Sequence, residues 1–129
     1  HLVRAALEAM AYGTHEVLEA MEADSLTRLT ELRVDGGAAM NDWLLGFQAG
    51  LLGVPVRRPD VVETTALGAA GLAGLAAGIW SNAGDFPASQ GEATRFTSSM
   101  SDNERTTLLA GWAEAVQAVK ELAEGRERS

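Results

Sequence analysis

Residues Leu32-Arg33-Val34 form a short apolar-alternating run that passes straight into Asp35-Gly36-Gly37-Ala38, and Asn41 then leads into the helix-like run Trp43 to Leu52. This strand, diglycine, helix order constrains the chain more than any other feature in it. A helix begins with backbone N–H groups that have no partner further back and with a partial positive charge. Glycine at that junction carries no Cβ, so a flat base or a ribose can lie almost against the main chain.

The rest of the chain reads as further helices and one further strand. Apolar residues recur at Val3, Leu7, Met10, Thr14, Val17 and Met21, the three and four steps of an amphipathic helix running to about Ala23. Arg4, Glu8, His15, Glu19 and Glu22 make its solvated face, and Gly13 marks a candidate close approach to another element. After Asp24-Ser25, the segment Glu31 to Asp35 reads as a strand. A second helix buries Leu44, Leu45, Gln48, Leu51 and Leu52 and ends at Gly53, a residue suited to a left-handed cap. Val54 to Arg57 is a second strand, interrupted by Pro55 and therefore expected at an edge. Thr64 or Thr65 is placed to cap a third helix, on which Gly71, Gly74 and Gly78 leave a groove for tight packing. From Ser81 to Met100 no period is sustained, which predicts a long irregular connection. Ser101 and Glu104 have capping-box spacing before a last helix, Asp102 to Glu124, with Leu108, Leu109, Trp112, Val116, Val119 and Leu122 inward and Gly125 at its end. The tail from Arg126 to Ser129 is expected to fray.

Composition sets limits on function. The 129 residues fit one unit, and an apolar content of 47% with only 5% aromatics and 14 glycines points to helices packed closely through small side chains. A net charge of −8 repels polyanions, and no basic stripe exists to follow a phosphate backbone, so nucleic acid is not expected as a partner. Any anion site must act locally against that field. With no cysteine there is no disulfide framework or thiolate metal site, which suits the cytoplasm. The apolar run Thr64 to Trp80 is shorter than the ~20 residues of a membrane span. No membrane contact is expected. The chain opens inside a helical pattern without an initiator methionine, which reads as a piece of a longer protein.

The diglycine segment, the stretch Arg57-Arg58-Pro59-Asp60 and the run Thr65-Ala66-Leu67-Gly68-Ala69-Ala70-Gly71-Leu72-Ala73-Gly74-Leu75-Ala76 together resemble the carboxy-terminal part of the FGGY carbohydrate kinase family. His1 to Ala5, Val17 to Met21 and Ala110-Gly111-Trp112 continue the resemblance, which is weakest from Ser81 to Met100. Asp35-Gly36-Gly37-Ala38 is similar to the glycerol-phosphorylating branch more than to the pentulose kinases, which tend to carry a third glycine in place of the aspartate. Asp42 departs from a second asparagine often found there.

The resemblance implies an α/β fold, the later part of a ribonuclease H-like (actin-like ATPase) domain, helix-rich with two short strands. It further implies that residues 1–129 are one unit, a partial C-terminal nucleotide-binding domain of a two-domain sugar or polyol kinase. Strands preceding residue 1 would complete the sheet. The activity implied is transfer of the γ-phosphoryl of ATP to glycerol with Mg²⁺, and the catalytic carboxylate and polyol residues would lie outside this chain, leaving it inactive alone. The nucleotide-binding positions carried over are Gly36, Gly37, Ala38 and Asn41, with no catalytic and no metal-binding residue. Asparagine suits that place because its amide both donates and accepts; the same residue is also an ordinary helix cap.

Other polar residues read as structural. Asp35 fits a turn better than a metal-phosphate contact. Arg57 and Arg58 point to opposite faces of a strand and read as surface charges rather than a joint clamp. Glu63 sits where a helix N-terminus favours a carboxylate. His1 and His15 have no partners at metal spacing, and Trp43, Trp80 and Trp112 read as packing anchors. The apolar faces of helices one and three are expected to find a partner, by self-association of this chain or in a homo-oligomer of the parent. Two competing readings remain: a non-catalytic helical interaction module in which Gly-Gly is only a turn, and a dinucleotide-binding unit, which lacks the third glycine of its fingerprint.

Overall fold

In the computed structural model of the chain, residues 1–60, 63–86 and 93–127 are described. Helix α1, Leu2–Ser25, leads to strand β1, Leu32–Arg33, then to a 3-10 turn, Gly37–Met40, and helix α2, Asp42–Leu52. Strand β2, Val56–Arg58, helix α3, Thr64–Ala76, a short 3-10 turn at Ala83–Asp85, strand β3, Thr94–Phe96, and helix α4, Asp102–Glu127, complete the order.

The strands form one sheet in the order β1-β2-β3. β2 lies parallel to β1, with Leu32 opposite Val56, and antiparallel to β3, with Val56 opposite Phe96. Two expectations change here. The strand after Pro55 is central rather than at an edge, and a third strand lies within the stretch 81–100 expected to be irregular. Pro55 is tolerated because it precedes the ladder, where its carbonyl accepts from the Leu32 N–H at 2.9 Å. β3 escapes the periodicity test because three residues, Thr94-Arg95-Phe96, are too few to show alternation, and pairing with β2 supplies what local pattern does not. The remainder of the irregular connection, residues 87–92, and the end of the expected frayed tail, 128–129, lie outside the described residues.

Helix α2 is the hub. One side meets Ala11 and Tyr12 of α1, with Leu44 and Leu51 fully inside and Leu7, Met100, Leu108, Leu109 and Trp112 packed around them. Its other side presses Leu45 and Ala49 onto Val56 of the sheet, with Leu32, Val34 and Phe96 alongside. Each buried leucine of this kind contributes roughly 1.5–3 kcal/mol. Asn41 accepts from the Leu44 N–H at 3.0 Å to cap α2, and Gly53 closes it with φ +68°. Gly50 lets the Met100 side chain approach where a Cβ would stand 2.9 Å from its methyl carbon.

The buried stripe of α1 shares Leu7 with the one that periodicity picks out, and Thr14 is half-buried, but the rest differs. Leu7, Ala11 and Tyr12 face the core, while Val3, Met10, Val17 and Met21 are exposed. Both stripes are apolar enough to bury, and within this chain α2 and α4 occupy the first. Gly13 has open space around it and marks no close approach. On α4, only the first half is docked: Leu108, Leu109, Trp112 and Val116 are half-buried, whereas Val119 and Leu122 project into solvent because the helix outruns the elements beneath it. It also runs through Gly125 rather than stopping there. The Ser101 hydroxyl accepts from the Glu104 N–H at 3.2 Å, the forward half of the expected box.

Trp112 stacks on Tyr12 with centroids 4.8 Å apart, and its Nε1 donates to Glu16 at 2.9 Å. On α3, the small-residue groove is filled by rings of the following turn: a Cβ on Gly74 would overlap Trp80, and one on Gly71 would touch Phe86 at 3.0 Å. No helix among the described residues is long and apolar enough to cross a membrane.

Candidate functional site

The diglycine turn sits where β1 ends. The sheet holds its entry, since the Val34 N–H donates to the Arg57 carbonyl at 3.0 Å. Gly36 takes φ +81° and ψ 179°, a conformation open to glycine and strained for other residues, which directs the chain into the 3-10 turn. The Ala39 N–H closes that turn on the Gly36 carbonyl at 3.1 Å, and the Asn41 N–H reaches the Ala38 carbonyl at 3.2 Å. Ala39 points inward and is buried, whereas Gly37 and Ala38 are exposed. A Cβ at Gly36 or Gly37 would meet nothing within 4 Å. The main chain is therefore bare on its outer side, an open strip with a buried anchor behind it.

Asn41 serves the helix first. Its Oδ1 is used as the α2 cap, while no bond from Nδ2 is formed among the described residues. The two N–H donors of that amide stand at the end of the strip, so capping and an outward contact are compatible in one side chain.

Next to the strip lies a half-open cleft of about 410 Å³, walled by Arg33, Asp35, Arg57, Pro59 and Thr64. Asp35 is both wall and tie: it accepts the Thr64 hydroxyl, joining the end of β1 to the start of α3. Neither expected threonine caps α3. Glu63 occupies the cap position without a side-chain bond, because the Thr64 hydroxyl is engaged by Asp35 and Thr64 already belongs to the helix. Arg33 and Arg57 both approach Glu31, at 3.6 and 3.9 Å, and are exposed enough that solvent screens these pairs.

Arg58 is not the surface charge that its position suggested. Its side chain is 16% exposed, and its Nη1 donates to the Ala39 carbonyl at 2.8 Å and to Asp42 Oδ1 at 2.7 Å. The guanidinium also lies 5.2 Å from the centre of the Phe96 ring. Arg57 and Arg58 do diverge as alternation requires, and the partners of Arg58 are 16 and 19 residues away in sequence, beyond the reach of spacing arguments. Arg4 similarly stands 5.5 Å over Trp43, which stacks on Phe47 while staying 43% exposed. His15 pairs with Glu19 at 3.5 Å on the helix surface. Among the described residues no three His, Cys, Asp or Glu side chains gather as metal ligands do.

The chain is 58% identical over 118 residues to glycerol kinase of Stenotrophomonas maltophilia (strain K279a), covering 92% of this chain and 24% of that protein. It is 52% identical over 127 residues to the glycerol kinase of Deinococcus radiodurans, covering 98% of this chain and 25% of that one. The crystal structure of Plasmodium falciparum glycerol kinase with ADP superposes with a TM-score of 0.72 at 30% identity, over 92% of this chain and 24% of that chain. The chain thus spans about a quarter of the length of the relatives it matches. Its helix-rich α/β arrangement is part of the ribonuclease H-like fold. The model of the C-terminal domain of the FGGY family of carbohydrate kinases matches residues 1–77, more than half of the sequence, and the chain belongs to that family.

Proposed function

We propose that this chain is the adenosine-binding portion of a glycerol kinase, in which ATP phosphorylates glycerol and a complete enzyme supplies the remaining groups. The observation that carries the reading is the bare main chain at Gly36 and Gly37, open on its outer side and anchored by buried Ala39. Gly36, Gly37 and Ala38 form a ledge along which the adenosine lies, and Asn41 donates to it from Nδ2. The relatives bearing the name glycerol kinase and the neighbour solved with ADP support the choice of nucleotide and substrate.

In the proposed reaction the terminal hydroxyl of glycerol attacks the γ-phosphorus of ATP, the bond to the β-phosphate oxygen breaks, and a carboxylate takes the hydroxyl proton as ADP leaves. Such transfers depend chiefly on positioning and on charge stabilisation. The residues of this chain position the adenosine end. The carboxylate and the Mg²⁺ ligands belong to other parts of the enzyme, so the 129 residues alone turn over no glycerol. The exposed Val3, Met10, Val17 and Met21 of α1 are the face that the rest of the domain or a second copy covers, and the cytoplasm is the compartment that supplies ATP and a reducing medium for a chain without cysteine.

Asn41→Asp tests the ledge without removing the cap, because the carboxylate still accepts from the Leu44 N–H while the outward donors are lost. ADP affinity measured by calorimetry is expected to fall on the order of tenfold, with the thermal midpoint of the free chain unchanged. A wild-type chain whose stability ignores millimolar ADP would reject the ledge and favour a module in which the diglycine is only a turn.

A further inference from the structure

We propose that Arg58 is a positioning residue for the nucleotide, acting through the diglycine turn, with Asp42 as its partner. The inference rests on the adenosine-ledge reading and adds to it the device that keeps the ledge in shape. A strip made of Gly36, Gly37 and Ala38 has almost no side chain with which to pack, so its geometry has to be imposed from behind. Ala39 is the single buried residue of the turn, 3% exposed. Its N–H is bound inside the turn to Gly36 at 3.1 Å, and its carbonyl is bound from outside by Arg58 at 2.8 Å. Both polar groups of the anchor are thereby fixed, one by the turn itself and one by a strand that comes 19 residues later.

The guanidinium suits this place for three reasons. Its Nη1 alone, with two N–H groups, reaches both the Ala39 carbonyl and the Asp42 carboxylate. Its flat face rests on Phe96 of β3, so the side chain is held from the sheet side as well. Lastly, Asp42 opens α2, where a negative charge is favoured by the helix N-terminus, so the pair ties the turn to the helix start as well as to the sheet. Asp42 is 72% exposed and is the weaker half of the pair, since solvent screens it. A lysine ammonium has donors enough for both acceptors but is a compact, strongly hydrated charge without the flat face that lies over Phe96.

The test uses the full 129-residue chain, with ADP affinity by calorimetry and amide hydrogen exchange in the absence of nucleotide. Arg58→Met is expected to weaken ADP binding on the order of tenfold, and Arg58→Lys and Asp42→Asn by less. Exchange at the Ala39 and Asn41 amides should quicken in Arg58→Met while that of Ala49 to Leu51 in α2 stays slow, which separates a loosened turn from a loosened fold. Trp112→Phe, a change on the far side of α2, should leave ADP affinity as it was. If Arg58→Met does not fold, the same comparison is made with Arg58→Lys and Asp42→Asn. Wild-type ADP affinity in a folded Arg58→Met or Arg58→Lys chain, with the turn amides unchanged, overturns the inference while leaving the ledge intact. Absence of ADP binding by the wild-type chain overturns both together.

Discussion

Alanine substituted separately at Gly36 and Gly37 should have opposite effects on stability, although the two sites are adjacent and equally empty. At Gly36 the backbone stands at φ +81° and ψ 179°, a region closed to residues with a Cβ, and nothing lies within 4 Å of the position that the new methyl would take. Crowding is therefore absent, and the cost is the intrinsic backbone strain of about 1–3 kcal/mol, only partly offset by the roughly 0.4–1 kcal/mol that any Gly→Ala change gains through the unfolded chain. Gly37 opens the 3-10 turn without a positive φ and with the same open space, so alanine there fits the native backbone. Its effect comes through the unfolded chain, which loses freedom, and amounts to a gain of roughly 0.4–1 kcal/mol. The unfolded-chain gain is common to both sites and cancels, so the two variants should differ by the strain, about 1–3 kcal/mol, read from urea unfolding followed by tryptophan fluorescence. The ligand experiment has the reverse sign at Gly37: a more stable chain should bind ADP less well, because the methyl projects onto the ledge. Equal stabilities for Gly36→Ala and Gly37→Ala would refute the backbone argument. Undiminished ADP binding by Gly37→Ala and by the larger Gly37→Val would refute the ledge.

The α1–α4 contact offers a second test: Trp112→Ala should cost about 2–3 kcal/mol, below the ~3–5 of a fully buried ring because the indole is half-exposed. Trp112→Phe keeps a ring on Tyr12, gives up the exposed bond to Glu16 and part of the indole packing, and should cost about 1 kcal/mol in the same urea experiment, less than Trp112→Ala. Tyr12, the one tyrosine of the chain, has its pKa raised above 10.0 by burial first and by Glu8 second, with Arg4 partly opposing. The neutral phenol is thus the form the fold favours, so its contribution is complete below the unfolded value and is lost as pH rises through the higher folded one. Phenolate absorbance should titrate above 10.0 in the native chain and return to about 10 in urea, and a native midpoint at or below the unfolded one would contradict the packing described.

What the sequence made legible was local, and what it concealed depended on partners far along the chain. The diglycine turn, the Gly53 cap and the buried face Leu44, Leu45, Gln48 and Leu51 follow from residue type and spacing, and the structure has each of them in place. The family was readable because several separated segments agreed. The central position of β2 was not, since Pro55 argues for an edge unless one knows that the proline stands just before the ladder. β3 is too short to carry a period, and α1 has two apolar stripes between which only tertiary contacts decide. Thr64 looked like a cap because capping is the local option for a threonine before an apolar run, and the Asp35 carboxylate outcompetes it from 29 residues away.

The charges around the site bear on how a chain with a net charge of −8 would receive an anionic ligand. Of the arginines nearest the turn, Arg58 is committed to Ala39 and Asp42, while Arg33 and Arg57 lean toward Glu31 from exposed positions. Arg58 holds the turn more directly than it presents charge outward, whereas the pairs of the exposed Arg33 and Arg57 are screened by solvent. A ledge of main chain and one amide matches the uncharged half of a nucleotide, whose base and ribose need close approach and hydrogen bonds rather than cations. On the proposed reading, the phosphates would have to be met by groups outside this chain, and the proposal therefore predicts that ADP and adenosine bind it with similar affinity. If the proposed ledge holds the adenosine end, the acidic surface opposes binding little, because the ligand charge would then sit at the far end and the protein field is screened over roughly 8 Å at physiological salt.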